Sequence, residues 1–211
     1  MKTEMIKKLE SYLDHTNQDE IDRDWAEIKA LGLKGPAAKD FTNSFELVKA
    51  YNFAALYHNG QKYGDESFMV HLNDVYEVAV KYGLDKTILV ASYLHDILED
   101  TDCTFDELWD EFGWEVAILV FLVTDEPGAN RKERKEKTYL KTRTSGAAIK
   151  LKLCDRIANV RRSKENNPKL FLMYQNEHQE FLEGLAISGT RYGLLGEMLS
   201  ELNGLIYECN N

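Results

Sequence analysis

WEVAILVFLVTDE, residues 114–126, is the most apolar segment of the chain, and the fold class turns on whether it is a strand or a helix. Periodicity alone does not separate a buried strand from a buried helix in so short a run. Its neighbours do. Thr104 with Glu107 three residues on has the spacing of a capping box, and the helix it opens stops before Gly113. Only three prolines interrupt 211 residues, and apolar positions elsewhere recur mostly at three- and four-residue spacing. Residues 114–126 are therefore read as a buried helix and the chain as all-α, with no β-domain and no internal repeat.

The rest of the chain fits that reading. Residues 3–31 have the pattern of one or two amphipathic helices, and LGLKGPAAKD (31–40) that of a Gly/Pro-marked connector. This gives an N-terminal helical extension over 1–40 and a main domain over 41–211. In the main domain a helix from about Ser44 to His58 ends at Asn59-Gly60, and GQKYGDES (60–67) is a polar loop with room for a short hairpin near 60–68. The next helix covers about 68–82. Asp85 can cap a further helix through LDKTILVASYLHDILED (84–100), whose Ile88, Leu89, Ala91, Leu94 and Leu98 form a buried stripe. After a loop at 125–131 come a basic segment, the helix AAIKLKLCDRIANVRRS (147–163), and two helices beyond Pro168 separated near Ser188-Gly189.

Composition excludes several classes. No apolar run reaches the roughly 18–20 residues needed to cross a bilayer, and the N-terminus lacks the apolar core of a secretory signal, so the expected location is the cytoplasm with no membrane partner. Cys103, Cys154 and Cys209 form no CxxC pair and are read as reduced thiols. A net charge of −10 argues against nucleic acid as a partner. The charge is uneven, however: half of the 26 basic residues lie between Arg131 and Lys164, where a small polyanion could be held. Nothing in the sequence indicates the oligomeric state.

Chemistry concentrates in LHDILEDT (94–101). On a continuous helix His95 would stack over Glu99 and Asp96 over Asp100. An imidazole nitrogen and a carboxylate oxygen suit manganese, iron or zinc better than calcium, but two adjacent residues cannot fill a coordination sphere. Asp155 is a second unusual acid, since it interrupts an apolar and basic helix with Asn159 one turn on. Its partner is either Lys152 or Arg156, or a metal.

AALYHNGQKYGDESFMVH (54–71), LVASYLHDILEDTDCTFDELWDEFG (89–113), LVTD (122–125) followed by ERK (133–135), and IKLKLCDRIANVR (149–161) occur in that order. Together they resemble the HD-domain hydrolases of the RelA/SpoT family, and in layout the stand-alone alarmone hydrolases. The resemblance covers roughly residues 45–182, about two thirds of the chain. It implies an all-α HD-domain bundle holding one divalent metal, usually Mn²⁺, and removal of the 3′-diphosphate from a small phosphorylated nucleotide, ppGpp or pppGpp. Carried onto this chain, it implies His58, His95, Asp96 and Asp155 as metal ligands and Glu99 and Asp100 as the pair that handles the attacking water. It implies Lys49, Asn159, Arg161 and Tyr174 as substrate contacts, and Arg134 of the basic segment is read as a further one. His71 is read as a packing or hydrogen-bonding residue. Leu72, Tyr63 and Arg162 depart from the family pattern, where proline, a basic residue and threonine are usual, and they leave the exact nucleotide open. Another nucleotide such as NADPH is one alternative, and a non-catalytic nucleotide sensor is another, although no ligand or acid of the pattern is lost. No GxxxxGK[ST] loop is present, so hydrolysis without synthesis is expected.

Overall fold

The computed structural model describes the backbone of residues 38–207 and the side chains of 45–207. The chain divides into two units, Met1–Phe41 and Thr42–Asn211, and the helical bundle is that of the second. The helices expected at 3–31 lie outside the described residues, as does the connector up to residue 37.

Among the described residues the fold is all-α apart from one hairpin. Helix α1 (Ala38–Tyr57) begins earlier than expected and leads to strands β1 (Lys62–Tyr63) and β2 (Glu66–Ser67), which pair antiparallel with Lys62 opposite Ser67 and Tyr63 opposite Glu66. Helix α2 (Met69–Lys81) follows, then α3 (Lys86–Leu94), capped by Asp85, whose carboxylate accepts from the Ile88 amide at 3.1 Å. The expected helix over 84–100 is broken. His95 and Asp96 form a turn, with Asp96 at φ −98°, ψ −2°, before the single turn α4 (Ile97–Asp100). At the break the His95 imidazole Nδ1 bonds back to the Ser92 carbonyl at 2.9 Å, and the side chains of the turn face His71 and Asp155.

Helix α5 (Phe105–Phe112) starts with both bonds of the Thr104–Glu107 capping box. The deciding segment is helical over α6 (Trp114–Val123), with Val116, Leu119, Val120 and Val123 buried at helical spacing, and Thr124 turns extended to end it. Helices α7 (Arg131–Thr142), α8 (Gly146–Asn166), α9 (Pro168–Gly184) and α10 (Gly193–Tyr207) complete the chain.

Helix α8 is the axis of the fold. It packs against α2, α3, α6, α7, α9 and α10, so Leu151, Leu153 and Ile157 are fully buried although they point in different directions. Each such side chain is worth about 1.5–3 kcal/mol for its burial. Because α2 and α3 both lie on α8, a polar residue on each of these facing surfaces is brought to one place.

Candidate metal centre

Four donor groups meet where α2, the α3–α4 turn and α8 approach. His71 near the start of α2 and His95 in the turn bring their Nε2 atoms to 3.3 Å. Asp96 Oδ2 lies 3.2 Å from His95 Nε2 and 3.4 Å from His71 Nε2. Asp155 Oδ1, from the middle of α8, lies 3.5 Å from His71 Nε2 and 3.8 Å from His95 Nε2. Candidate ligand atoms of His71, His95 and Asp155 all fall within 4.8 Å of one another, and among the described residues this is the cluster that could hold a metal ion. Both histidines are buried. The bond from His95 Nδ1 to the Ser92 carbonyl puts its proton there and leaves Nε2 as a lone-pair donor. Two nitrogens and two carboxylate oxygens facing one another form a set that fits a divalent transition metal.

Without a cation the cluster balances itself with protons. Burial works against a charged His95, but Asp96 and Asp155 outweigh it and raise its pKa to about 10. Burial would likewise raise the two acids. His95 and His71 instead hold Asp96 well below the carboxylate range, and His95 with Lys152 does the same for Asp155.

Glu99 and Asp100, one turn past the donors, face the same cavity, which has a volume of about 180 Å³. Both carboxyls sit above their ordinary range. Burial is the main cause for each, followed by Asp125 for Glu99 and by Asp96 for Asp100. Glu99 Oε2 accepts from the Asp125 amide at 3.0 Å, which ties α4 to the end of α6. The opposite wall is basic: Arg131, Lys135, Lys152 and Arg156 line it. Lys152 is buried, 3.1 Å from the Val123 carbonyl, and Lys135 pairs with Asp125 at 2.8 Å. Metal donors, an acid pair and four cationic side chains thus line one cavity.

Residues 50–180 match the family described as the HD domain. The chain belongs to the HD-domain family. A human relative of this HD protein, guanosine-3′,5′-bis(diphosphate) 3′-pyrophosphohydrolase MESH1, is 34% identical over 149 residues, which are 67% of this chain and 81% of the relative. The Aquifex aeolicus guanosine-3′,5′-bis(diphosphate) 3′-pyrophosphohydrolase is 36% identical over 121 residues, or 55% of this chain. The matched region spans only 17% of the Aquifex protein but 73% of MESH1 from Drosophila melanogaster. A solved structure of a metazoan ortholog of SpoT, described as hydrolysing ppGpp, superposes with a TM-score of 0.64 at 25% identity and covers 81% of this chain and 96% of that one.

This HD domain redistributes the residues that the sequence nominated. It brings His95, Asp96 and Asp155 together, with Glu99, Asp100, Asn159 and Tyr174 on the same cavity. The expectation for the two loop histidines changes. His71, read as packing, joins the donors; His58 does not. The His58 ring stacks on Phe68 at 4.6 Å, and its Nδ1 bonds to Gln61 Oε1 at 2.8 Å. Gln61 in turn donates to the Asp100 carbonyl at 2.7 Å, so His58 supports the acid-bearing turn from behind. Helical spacing carried the signal for His71, which shares the buried face of α2 with Val75, Val78 and Ala79.

Three substrate contacts also change. Lys49 pairs with Glu111 at 2.7 Å and lies over the Phe112 ring, on the α1–α5 surface. Arg161 points from α8 toward α10 and bonds to Glu201. Arg134 packs beside Gly128 in the preceding loop, while Arg131 and Lys135, on the adjoining stripe of α7, line the cavity. Asn159 reaches the cavity with its amide engaged at both ends: Nδ2 donates to Asp155 Oδ1, and Oδ1 accepts from Tyr63 at 2.7 Å. Tyr174 carries the Arg156 guanidinium 4.7 Å above its ring.

Proposed function

We propose that the chain is a metal-dependent phosphohydrolase that removes the 3′-diphosphate of ppGpp or pppGpp. The ligands of one divalent cation, Mn²⁺ by preference, are His71, His95, Asp96 and Asp155. The convergence of their donor atoms beside an acid pair and beneath a basic wall is the observation that carries the reading. The human relative and the SpoT ortholog supply the substrate class.

Bound to these four residues, a divalent cation would lower the pKa of an attacking water and polarise a phosphoryl oxygen. Glu99 or Asp100 takes one proton from that water, since neither belongs to the donor cluster and both are raised toward the range useful for a general base. The water oxygen attacks the phosphorus next to the ribose 3′ oxygen, the P–O3′ bond breaks, and the carboxyl that took the proton from water returns it to the leaving 3′ oxygen of the nucleotide product. Arg131, Lys135, Lys152 and Arg156 neutralise the charge on the diphosphate oxygens as water adds. Buried, unpaired Cys103 and Cys154 suit a reducing compartment such as the cytoplasm. No described helix is long and apolar enough to cross a membrane.

A second reading, the same chemistry on another phosphorylated nucleotide such as NADPH, is supported by Tyr63, which stands on the cavity where the family pattern has a basic residue and gives its hydroxyl to Asn159. A substrate panel with Mn²⁺, comparing ppGpp, NADPH and common nucleotides and using Asp96→Ala as control, tests the proposal. The expected result is the fastest turnover on ppGpp, lost in Asp96→Ala. Preference for NADPH would select the second reading, and no turnover of any substrate by metal-loaded protein would favour a sensor.

A further inference from the structure

Tyr63, the last residue of β1, touches the donor cluster twice. Its ring stacks on the His71 imidazole, with centroids 4.9 Å apart and planes 23° from parallel. Its hydroxyl donates at 2.7 Å to Asn159 Oδ1, and the Asn159 amide donates to Asp155 Oδ1, the same oxygen that faces His71 and His95. Arg162 brings its guanidinium to 5.6 Å from the ring and is held in turn by Glu66 of β2 and by Asp74 of α2. The side chain is thus fixed by the hairpin, by α2 and by α8 together, and its polar atom serves the protein.

We propose that Tyr63 is a positioning residue for the metal centre: its ring sets the plane of His71, and its hydroxyl, relayed by Asn159, sets the carboxylate of Asp155. This rests on His71, His95, Asp96 and Asp155 being the metal ligands. Side chains that orient ligands without touching the metal commonly contribute about 10–100-fold to metal affinity. Tyr63 supports one nitrogen and one oxygen ligand, on two different helices, so its loss loosens both. An asparagine amide has a second hydrogen and a second lone pair, so Asn159 can relay the bond and still meet a substrate.

The test is Mn²⁺ affinity by titration calorimetry on the full chain, for wild type, Tyr63→Phe, Tyr63→Leu, Asn159→Ala and Asp155→Ala. Tyr63→Phe keeps the stacking ring and removes only the hydroxyl. The expected result is a loss of about 10-fold in Tyr63→Phe and a larger loss in Tyr63→Leu. Melting temperatures in EDTA should stay close to wild type for Tyr63→Phe. The double variant Tyr63→Phe/Asn159→Ala should bind no more weakly than Asn159→Ala alone, because both remove one relay. Wild-type affinity in Tyr63→Phe and Tyr63→Leu, with or without a raised KM, would overturn the positioning role while leaving the ligand set intact. If Asp155→Ala also binds Mn²⁺ as wild type does, the ligand set itself fails and the role of Tyr63 falls with it.

Discussion

His71 enters the donor cluster because it heads the buried face of α2, which packs on α8 where Asp155 stands. His58 sits one layer behind, bonded to Gln61 and stacked on Phe68. Titration calorimetry with Mn²⁺ separates the two: His71→Ala should show no measurable binding, and His58→Ala should bind within a few-fold of wild type while melting at lower temperature. The same titration reads the proton on His95. Its pKa of about 10 means that the metal-free protein at pH 8 carries an imidazolium, and the cation must displace that proton. Binding should therefore release a proton in paired buffers of different ionisation enthalpy, and affinity should rise with pH toward 10. The raised pKa stabilises the metal-free fold fully below about pH 6.5, the ordinary histidine value, and this contribution is lost as pH rises through 10.

At the scale of elements, the joints between helices place the chemistry. The break at His95-Asp96 separates α3 from α4 and lets His95 and Asp96 face α2 and α8 while Glu99 and Asp100 face the cavity. Gly113 forms the corner between α5 and α6 at φ 80°, ψ 166°, a conformation nearly closed to other residues. Nothing lies within 4 Å of where its Cβ would stand, so Gly113→Ala probes backbone strain alone. It should cost about 1–3 kcal/mol, seen as a lower denaturation midpoint at unchanged slope. Features set by neighbours in sequence were legible beforehand. The capping box at Thr104 and the Asp85 cap depend on residues three apart, and the apolar run at 114–123 is helical because its flanks are. Features set by partners far along the chain were not. The break at His95 belongs to a cluster completed by Asp155, and the phase of α7, which turns Arg131 and Lys135 toward the cavity in place of Arg134, comes from packing on α6, α8 and α9.

For the whole molecule, α8 explains why one helix carries both core and chemistry. Its Leu151, Leu153 and Ile157 are fully buried among six surrounding helices, and the same helix presents Lys152, Asp155, Arg156 and Asn159 to the cavity. A chain with net charge −10 can therefore hold a polyanion, because its basic residues are gathered at one place. Motif order made the HD family and the meeting of His95, Asp96 and Asp155 legible in the sequence. The exchange of His58 for His71, and the use of Lys49 and Arg161 as surface ties, depended on which helix faces meet. The most direct test of a metal-dependent ppGpp hydrolase is back-titration of EDTA-stripped protein with Mn²⁺ while release of GDP and pyrophosphate from ppGpp is followed by ion-exchange chromatography. The expected result is no product in the stripped protein and a rate that saturates at one Mn²⁺ per chain. Full turnover in EDTA, or no pyrophosphate at any Mn²⁺ concentration, would contradict it.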